Sequence, residues 1–338
     1  MMTQPKIRFA AIGLNHGHIY SQVRLLLEAG AELAGFYARE ADLAKAFSDM
    51  FPEARQAAST AEILEDRSIQ VVTSAGIPDE RGPLGVEVMQ HEKDFLSDKP
   101  GFTTLAQLAE ARRVQAETGR IYSIFYGERL ESRASVRAAE LVQAGAIGKV
   151  VQTIGMGPHR INLPSRAEWF FQKERYGGIL TDIGSHQMEQ FLFFTGSDQA
   201  QVVSSQVANY RFPQYPELED FGDAQLRGNG GTGYLRVDWF TPDGLPSWGD
   251  GRLFVLGTDG YLELRKNVDP SGREGGNHLF LVDHDGMQYM DCSAVELPFG
   301  RQLLMDVINR TETALPQAHT FLAAELAIRA ETQAVRVQ

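Results

Sequence analysis

The chain has 338 residues, 43% of them hydrophobic, and a formal net charge of −12, so it is long enough for two domains. The acidic balance and the lack of a Lys/Arg stripe argue against a nucleic-acid-binding surface. No stretch approaches the roughly 20 apolar residues of a membrane span, and the polar start, residues 1–6, lacks a signal-peptide core. The single cysteine, Cys292, has no partner for an internal disulfide and is expected to be structural. A cytoplasmic protein without membrane contact is therefore expected.

The first third of the chain alternates short β-rich runs with stretches of helical periodicity. Strands are predicted at residues 7–12, 32–37, 69–74, 93–97 and 121–126. Helices are predicted at residues 19–29, 41–50, 61–65, 84–91 and 105–118. These repeated βα units predict an α/β fold with a doubly wound parallel sheet over residues 1–125, the arrangement of a Rossmann domain.

From about Tyr126 the pattern changes to strand-like runs separated by Gly, Pro, Asn and Asp clusters. The strands are predicted at residues 150–155, 200–210, 223–226, 232–240, 253–257 and 260–264. Helices are predicted at residues 132–144, 187–194 and 318–335. This pattern predicts a second domain, residues 126–338, of α+β type with a large, open, mainly antiparallel sheet. Packing of the last helix against the first domain is left open.

The loop after the first strand, Gly13 to His18, partly matches the dinucleotide-binding fingerprint. Gly13 fits the first glycine, whereas Asn15 and His18 occupy the second and third glycine positions. Asparagine tolerates a left-handed backbone better than other non-glycine residues, so the turn is expected to survive. The predicted cofactor contacts are Gly13, Asn15, His16, Gly17, His18, Ala38, Arg39, Ser74, Ala75 and Lys99.

The exit of the second strand bears on the choice between NAD and NADP. Ala38 stands where an acidic residue would accept hydrogen bonds from the ribose 2′-hydroxyl of NAD, and Arg39 follows it. A guanidinium can bind the oxygens of a 2′-phosphate. Glu40 opposes this interpretation if the strand ends later than predicted. NADP is therefore favoured over NAD.

Two motifs carry the candidate chemistry. Asp98-Lys99-Pro100 follows a short apolar run, and a second motif runs from Gly177 to His186 into a predicted helix. On a helix, Asp182 and His186 would be i,i+4 neighbours on one face. A lysine, an aspartate and a histidine around one alcohol can bind it, orient it and take its proton while a hydride leaves the carbon.

The two motifs and the Rossmann half together resemble the Gfo/Idh/MocA family, which includes glucose-fructose oxidoreductase and inositol dehydrogenase. The second motif follows the pattern Gly-Gly-x-Leu-x-Asp-x-Gly-x-His, and the run Gly145 to Val150 resembles the usual entry into that family's second domain. The resemblance implies that Lys99 contacts both cofactor and substrate hydroxyl, that Asp182 binds substrate and that His186 is the acid/base. It also implies that the open sheet packs against a partner subunit, giving a homodimer or homotetramer.

The chain departs from the family pattern at two places. Asp98 stands where members usually have Glu. The loop from Ala75 to Arg81 lacks the Thr-Pro-x-x-x-His pattern that members often carry after the third of these strands, which leaves that loop's usual substrate and cofactor contacts open.

The resemblance implies a carbohydrate-like substrate, and the aromatic residues before the second motif, Trp169 to Phe171, would either pack in the core or contact a sugar ring. Tyr126, Arg160, Trp169 and Tyr176 are candidate substrate contacts. Arg160, Arg166, Lys173 and Arg175 cluster in one segment and would either meet an anionic substrate or solvate a loop. A metal site built from His16, His18, Asp182 and His186 is disfavoured because no further ligand stands at suitable spacing.

These observations predict an NAD(P)-dependent oxidoreductase acting on a secondary alcohol of a sugar, polyol or inositol-like compound, or on the corresponding ketone. Three alternatives stay open. They are a redox-assisted lyase or glycosidase with a recycling cofactor, an imine or pyrrole reductase, and a nucleotide-sensing regulator without turnover.

Overall fold

The computed structural model describes residues 6–337, so the predicted polar start, residues 1–6, lies outside the described residues except for Lys6. The chain divides into two compact units after Phe125. The first also includes Pro298–Phe321, and the second comprises Tyr126–Leu297 and the chain from Leu322 onwards. The segment Pro298–Phe321, assigned from sequence to the C-terminal domain, thus groups with the N-terminal unit.

The first unit contains a six-stranded parallel sheet. Its strands are β1 (Arg8–Ile12), β2 (Glu32–Tyr37), β3 (Arg55–Gln56), β4 (Val71–Ser74), β5 (Asp94–Asp98) and β6 (Tyr122–Phe125). The strand order β3-β2-β1-β4-β5-β6 is that of dinucleotide-binding folds, in which ligands bind beyond the carboxyl ends of the strands where the order reverses, here between β1 and β4. The predicted doubly wound parallel sheet is confirmed; the two-residue strand β3 was not predicted.

Helices connect these strands. They are α1 (His18–Glu28), α2 (Ala41–Met50), α3 (Thr60–Glu65), α4 (Pro78–Gln90) and α5 (Leu105–Thr118). Helix α5 has clear local signals, since the Thr104 side chain accepts a hydrogen bond from the Gln107 N–H and the helix ends at Gly119 with φ of 62°.

The prediction for α4 was wrong at its start, because this helix begins at Pro78 rather than residue 84. Gly82, Pro83 and Gly85 concealed it, since all three disfavour helix interiors. Packing requires the glycines: a Cβ at Gly85 would overlap the Phe95 and Tyr122 rings.

The second unit is built on a nine-stranded sheet in the order β14-β13-β12-β11-β7-β10-β9-β8-β15. The strands are β7 (Val150–Pro158), β8 (Ala200–Ala208), β9 (Phe221–Gly228), β10 (Thr232–Asp238), β11 (Arg252–Gly257), β12 (Gly260–Arg265), β13 (His278–Asp283), β14 (Gly286–Asp291) and β15 (Val335–Arg336). The pairs β7/β10 and β8/β15 are parallel and the other pairs are antiparallel. The predicted large, mainly antiparallel sheet is confirmed, and β13, β14 and β15 extend it beyond the prediction.

Helices cover one face of this sheet. They are α6 (Gly127–Leu130), α7 (Arg133–Gln143), α8 (Lys173–Tyr176), α9 (Ile179–Asp182) and α10 (Gly184–Thr195). Alternate residues of β11 and β12, including Val255 and Leu262, form a buried core with Ala138 of α7 and Phe194 of α10. Cys292 belongs to the same core, and burial raises the pKa of its thiol to about 11.

Two helices complete the chain. Helix α11 (Phe299–Asn309) packs on α1, where a Cβ at Gly300 would meet the Leu25 carbonyl at 2.9 Å. Helix α12 (Gln317–Thr332) ends three residues before the predicted limit, because Val335 and Arg336 pair with β8. Among residues 6–337, no helix is both long and apolar enough to span a bilayer.

Candidate functional site

The loop after β1 approaches the end of β4 closely. Gly13 has φ of +76°, and a Cβ there would lie 2.9 Å from the Gly76 Cα. The Gly13 carbonyl accepts the Ala75 N–H at 3.1 Å, and the Ala75 carbonyl accepts the His16 N–H at 2.9 Å. Glycine is therefore required at position 13, both for the positive φ and for the contact between the two backbones.

Asn15 acts differently from the prediction. Its backbone is not among the positive-φ positions of the described chain. Its side chain instead donates to Glu40 Oε1 at 3.0 Å, joining the loop after β1 to the exit of β2. Gly17 serves as the N-cap of α1 with φ of −60°, so its freedom to adopt positive φ is unused.

A cavity of about 300 Å³ lies at the carboxyl ends of β1, β2 and β4. Its lining includes the predicted residues Gly13, Asn15, Ala38, Arg39 and Ser74 together with Glu40, Thr60, Gly76, Glu80 and Arg81. Arg39 is bonded to Glu80 at 2.5 Å, and its side chain is 58% exposed. A glycine turn, a cavity at the point of strand reversal and a cation on the β2 side fit a bound dinucleotide.

Asp98, at the end of β5, collects polar contacts from three segments of the first unit. Its carboxylate lies 2.9 Å from His18 Nδ1, 3.5 Å from His16 Nδ1 and 3.2 Å from Arg81 Nη2. It also accepts the backbone N–H of Lys99 at 2.8 Å. We call this group, Asp98 with His16, His18, Arg81 and Lys99, the Asp98 node.

Burial and the neighbouring charges determine the charge states of Asp98 and His16 in the Asp98 node. Burial alone would raise the pKa of Asp98, but the His18 and Arg81 charges and the His18 hydrogen bond outweigh it and hold the pKa far below its usual range. Burial, followed by the charge of His18, lowers the pKa of His16 well below its usual value. Asp98 is therefore an anion and His16 a neutral imidazole at pH 7.

Arg81 is the member of the Asp98 node that the sequence reasoning missed. Its side chain is 1% exposed and donates to the carbonyls of Gly76, Lys99 and Pro100 as well as contacting Asp98. Arg81 thus contacts Asp98, Lys99 and Pro100 at the end of β5 and also the loop after β4 at Gly76. The one available signal was the departure from the family pattern in the loop from Ala75 to Arg81.

His16, His18 and Asp98 also offer ligand atoms within 4.8 Å of one another. The Arg81 guanidinium already neutralises the carboxylate at 3.2 Å. Because a cation beside that guanidinium would be repelled, the group is better described as an ion-pair network than as a metal centre.

In the second unit, Asp182 and His186 do not share one continuous helix. Helix α9 ends at Asp182 and α10 begins at Gly184, with Ile183 between them. The Ser185 hydroxyl donates to the Asp182 carbonyl at 2.8 Å, while the His186 N–H bonds to Ile183 at 3.2 Å. The segment from Asp182 to His186 is therefore not one regular α-helix, but Ile183 keeps helical φ and ψ of −79° and −39°, so the placement of Asp182 and His186 on one face stays a prediction.

His186 lies in a buried polar environment. It is 3% exposed and meets the Tyr126 ring edge-on at 6.3 Å between ring centres. The carboxylate of Glu128 accepts hydrogen bonds from Gln187, the neighbour of His186 in sequence, at 2.7 Å and from Lys266 at 3.1 Å. Burial would raise the pKa of Glu128, but the charges of Lys266 and His186 outweigh it and lower the pKa to about 2.

Two buried glutamates fix the start of α9. Glu219 accepts the Ile179 N–H and Glu331 accepts the Leu180 N–H, each at 3.0 Å. Lys173 lies between them, 2.5 Å from Glu219 and 2.7 Å from Glu331. Burial and the neighbouring Glu219 charge raise the pKa of Glu331 to about 8. Two carboxylates from distant segments thus satisfy N–H groups at the start of the helix that carries Asp182.

Gly178→Ala is expected to destabilise the protein more than Gly196→Ala. Both residues have positive φ, but Gly178 (φ 88°, ψ 159°) occupies a region open essentially to glycine alone, and its Cβ would overlap the Glu331 carboxylate. Gly196 (φ 65°, ψ 24°) is left-handed helical with open space around it. We expect a loss of about 1–2 kcal/mol at Gly196 and at least about 2 kcal/mol more at Gly178, measured by denaturant unfolding. Equal losses would contradict this account of the glycine pair.

The other predicted substrate contacts differ in their surroundings. Arg160 donates to the carbonyls of Pro242 and Leu245 at 2.9 and 2.6 Å. The Tyr176 hydroxyl donates to the Glu217 carbonyl and accepts the Glu219 N–H at 3.0 and 3.1 Å, and its ring is buried. Trp169 is partly buried and meets Phe170 edge-on at 6.2 Å. Arg160 and Tyr176 therefore support the fold of this segment.

The fold, the Asp98 node of the first unit and the surroundings of Asp182 and His186 in the second unit define the class. This is an α/β protein with a dinucleotide-binding fold in its first unit and a large mixed sheet in its second unit. The family model described as GFO/IDH/MocA C-terminal domain matches residues 135–263. A solved protein assigned as an oxidoreductase, from Erwinia carotovora atroseptica SCRI1043, is 49% identical over 98% of this chain and 100% of its own, with a TM-score of 0.96. The chain belongs to the Gfo/Idh/MocA family of oxidoreductases.

More distant solved structures share the fold. An oxidoreductase from Agrobacterium radiobacter, in complex with NAD+, L-tartaric acid and magnesium, is 18% identical over 97% of this chain and 96% of its own, with a TM-score of 0.80. KijD10, a 3-ketoreductase from Actinomadura kijaniata in complex with NADP, is 17% identical over 98% of this chain and 99% of its own, with a TM-score of 0.78. No curated protein matches the chain significantly.

Proposed function

We propose that this oxidoreductase transfers a hydride between NAD(P) and a secondary alcohol or ketone of a sugar, polyol or inositol-like compound. Bound NAD(P) supplies the hydride acceptor or donor at its nicotinamide ring. Distant solved relatives that contain NAD+ or NADP support this cofactor class.

The observation that carries the proposal is the Asp98 node. His16 and His18 belong to the loop after β1, which borders the cavity, and Lys99 follows β5. Asp98 bonds to the two histidines and to the Lys99 backbone N–H, so the loop suited to a dinucleotide is held against the strand end that carries Lys99.

Each candidate residue has a separate role in the proposed reaction. The Lys99 ammonium stabilises negative charge as it develops on the alcohol oxygen. His186 takes the hydroxyl proton during oxidation and returns it during reduction. Asp182 accepts a hydrogen bond from a substrate hydroxyl and so orients the sugar.

A turnover screen tests the proposed function. The purified protein is incubated with sugars, inositols and their keto derivatives in the presence of NAD+, NADP+, NADH or NADPH, and absorbance at the reduced nicotinamide band is followed. Stoichiometric formation or consumption of NAD(P)H supports the proposal. Product formation without net change in NAD(P)H would instead indicate an internally recycling enzyme, and cofactor binding without any product would indicate a regulator.

We further propose that NADP(H) is preferred over NAD(H). Arg39 lines the cavity on the β2 side, where a 2′-phosphate would be recognised. In the structure the Glu80 carboxylate lies 2.5 Å from the Arg39 guanidinium, and the Glu40 carboxylate accepts a hydrogen bond from the Asn15 side chain at 3.0 Å. A phosphate must therefore displace Glu80 from Arg39, which makes Glu80 an opponent of NADP(H) binding.

Arg39→Ala is expected to weaken NADP(H) about tenfold or more, consistent with the loss of a charge-assisted hydrogen bond, and to change NAD(H) little. Glu80→Gln should do the opposite and tighten NADP(H). Fluorescence titration of both reduced cofactors into wild type and variants measures the four affinities. NAD(H) binding as tight as NADP(H) to the wild type, or equal weakening of both cofactors in Arg39→Ala, would overturn the preference.

We also propose a homodimer or homotetramer formed through the uncovered face of the second unit's sheet. Across β11, β12, β13 and β14 the register aligns Leu256, Tyr261, Val282 and Met287 in one row. Leu256 is 45% exposed, Tyr261 40% and Met287 79%. An apolar row of this kind on one sheet face favours an isologous contact.

Leu256→Glu combined with Tyr261→Glu is expected to reduce the particle mass in light scattering to that of a monomer. Met50→Glu, at an exposed apolar position on α2, is the matched control and should leave the mass unchanged. A monomer mass for the wild type at micromolar concentration would rule out the proposed assembly.

A further inference from the structure

Arg166 is held in one orientation by three contacts within the second unit. Its Nε donates to the Ile161 carbonyl at 2.7 Å. Its guanidinium carbon lies 4.3 Å from the centre of the Phe170 ring and 5.0 Å from that of Trp239. Both rings are buried, so the guanidinium rests on a fixed aromatic surface rather than extending into solvent.

The outer edge of this guanidinium is unused by the described protein. An arginine has five N–H donors, four of them on the two Nη atoms. Nε makes the hydrogen bond to the Ile161 carbonyl, and no residue between 6 and 337 accepts from the Nη atoms of Arg166. An oriented cation with open donors is a binding group for a planar anion.

Arg166 also lies close to the second motif. Phe170, beneath the guanidinium, stacks on Tyr176 at 6.1 Å between ring centres, and Tyr176 immediately precedes the glycine pair. Burial lowers the pKa of Arg166 while the charge of Asp182 raises it, which places the two groups near one another. No hydrogen bond joins them, so Asp182 does not occupy the open donors.

The three other cations of the same segment are already engaged, and Arg175 is one of them, since it too has a partner in the described chain. Lys173 lies between the carboxylates of Glu219 and Glu331, and Arg160 donates to backbone carbonyls. Arg166 is therefore the member of this set that combines a fixed orientation with unclaimed donors.

We propose that Arg166 binds a carboxylate of the substrate, so that the oxidised alcohol belongs to a polyhydroxy carboxylic acid such as an aldonic or uronic acid. This inference rests on the proposed function. The guanidinium edge matches the two oxygens of a carboxylate, and Asp182 would accept a hydroxyl of the same molecule. Because the neighbouring Asp182 is itself an anion, it repels a dianionic phosphate ester more than a monoanionic carboxylate, which favours the carboxylate.

Matched substrate pairs test the inference. Wild type is assayed with D-gluconate against D-sorbitol, and with D-galacturonate against D-galactose and galactose 1-phosphate, using both cofactors. We expect kcat/KM to favour each acid over its neutral partner by about tenfold or more, since a charged hydrogen bond is lost in the neutral compound. Equal or greater activity on the neutral sugars, or preference for the phosphate ester, overturns the inference while leaving the proposed oxidoreductase function intact.

Variants separate binding from folding. Arg166→Gln should raise KM for the acids about 10–100-fold, with little effect on the neutral partner, and Arg166→Lys should fall between. Arg137→Gln, at an exposed helix position paired with Glu140, is the control and should match wild type. An equal loss on acids and neutral sugars in Arg166→Gln would show a structural role and overturn the proposal.

A binding measurement makes the test independent of turnover. Calorimetric titration of D-gluconate and D-sorbitol into wild type with oxidised cofactor should show tighter binding of the acid, and Arg166→Gln should abolish the difference. If the acid binds no more tightly than the polyol, the inference fails even where no product forms. Absence of turnover with preserved acid binding contradicts the proposed reaction instead, and supports the carboxylate site.

Discussion

His186→Ala is expected to lower kcat by about 10²–10⁴-fold, the usual contribution of a positioned acid/base group. The imidazole is 3% exposed and faces Tyr126, and no other histidine lies on α9 or α10. Lys99→Ala is expected to cause a comparable loss, because the developing charge on the alcohol oxygen would then lack its cation. Steady-state kinetics with a substrate found in the screen measures both effects.

Exposed residues provide the matched controls. His284→Ala lies in the turn between β13 and β14, and Lys45→Ala removes a side chain that is 74% exposed on α2. Both should retain wild-type rates, and circular dichroism should show all four variants folded. Near-normal kcat in His186→Ala and Lys99→Ala would remove both residues from the proposed mechanism.

Arg81→Met is expected to destabilise the protein by about 3–5 kcal/mol, the range for removing one partner of a buried ion pair. Arg81 and Asp98 are each 1% exposed in their side chains. Methionine would leave the Asp98 carboxylate without its guanidinium and three carbonyls without their donor. Chemical denaturation followed by circular dichroism gives the change in unfolding free energy.

Two further variants isolate the charge effect. Arg113→Met, which breaks exposed pairs on α5, should change stability by no more than about 0.5 kcal/mol. Adding Asp98→Asn to Arg81→Met should recover part of the loss, because the stranded charge is then removed. A double variant less stable than Arg81→Met by the full cost of Asp98→Asn would show that the two residues are not coupled.

The sequence predicted elements best where the signals were local. Helix α5 has the predicted limits because Thr104 caps its first turn and Gly119 ends it. Strand β2 likewise matches at both ends. Such boundaries depend on residues within one turn of the element, which a single sequence displays directly.

Boundaries set by tertiary contacts were missed. The first turns of α4 contain Gly82 and Pro83, which disfavour a helix, but the close packing of Gly85 on Phe95 and Tyr122 fixes that segment. The break at Ile183 coincides with a side-chain hydrogen bond, from the Ser185 hydroxyl to the Asp182 carbonyl. Neither feature changes hydrophobic periodicity, so the sequence pattern contains no trace of it.

The residues of the candidate site also fall into two groups, those that a local motif indicates and those that only tertiary contacts reveal. Gly13, Lys99, Asp182 and His186 were recognisable because each belongs to a short motif. Glu331 was not, since it lies 151 positions from the N–H that it binds. Arg81 looked like a departure from a pattern, and its contact with the Lys99 carbonyl, 18 positions away, became evident only in three dimensions.

The Asp98 node has a consequence for how this sequence can change over evolutionary time. One carboxylate receives contacts from positions 16, 18, 81 and 99, so a neutral residue at 81 or 98 alone strands a buried charge. A variant with either single change is therefore expected to be less stable than its parent, whereas a paired replacement of both residues avoids that loss. Residues 18, 81 and 98 should therefore covary among descendants as one inherited unit, and chimeras that mix these positions from different lineages should fold poorly.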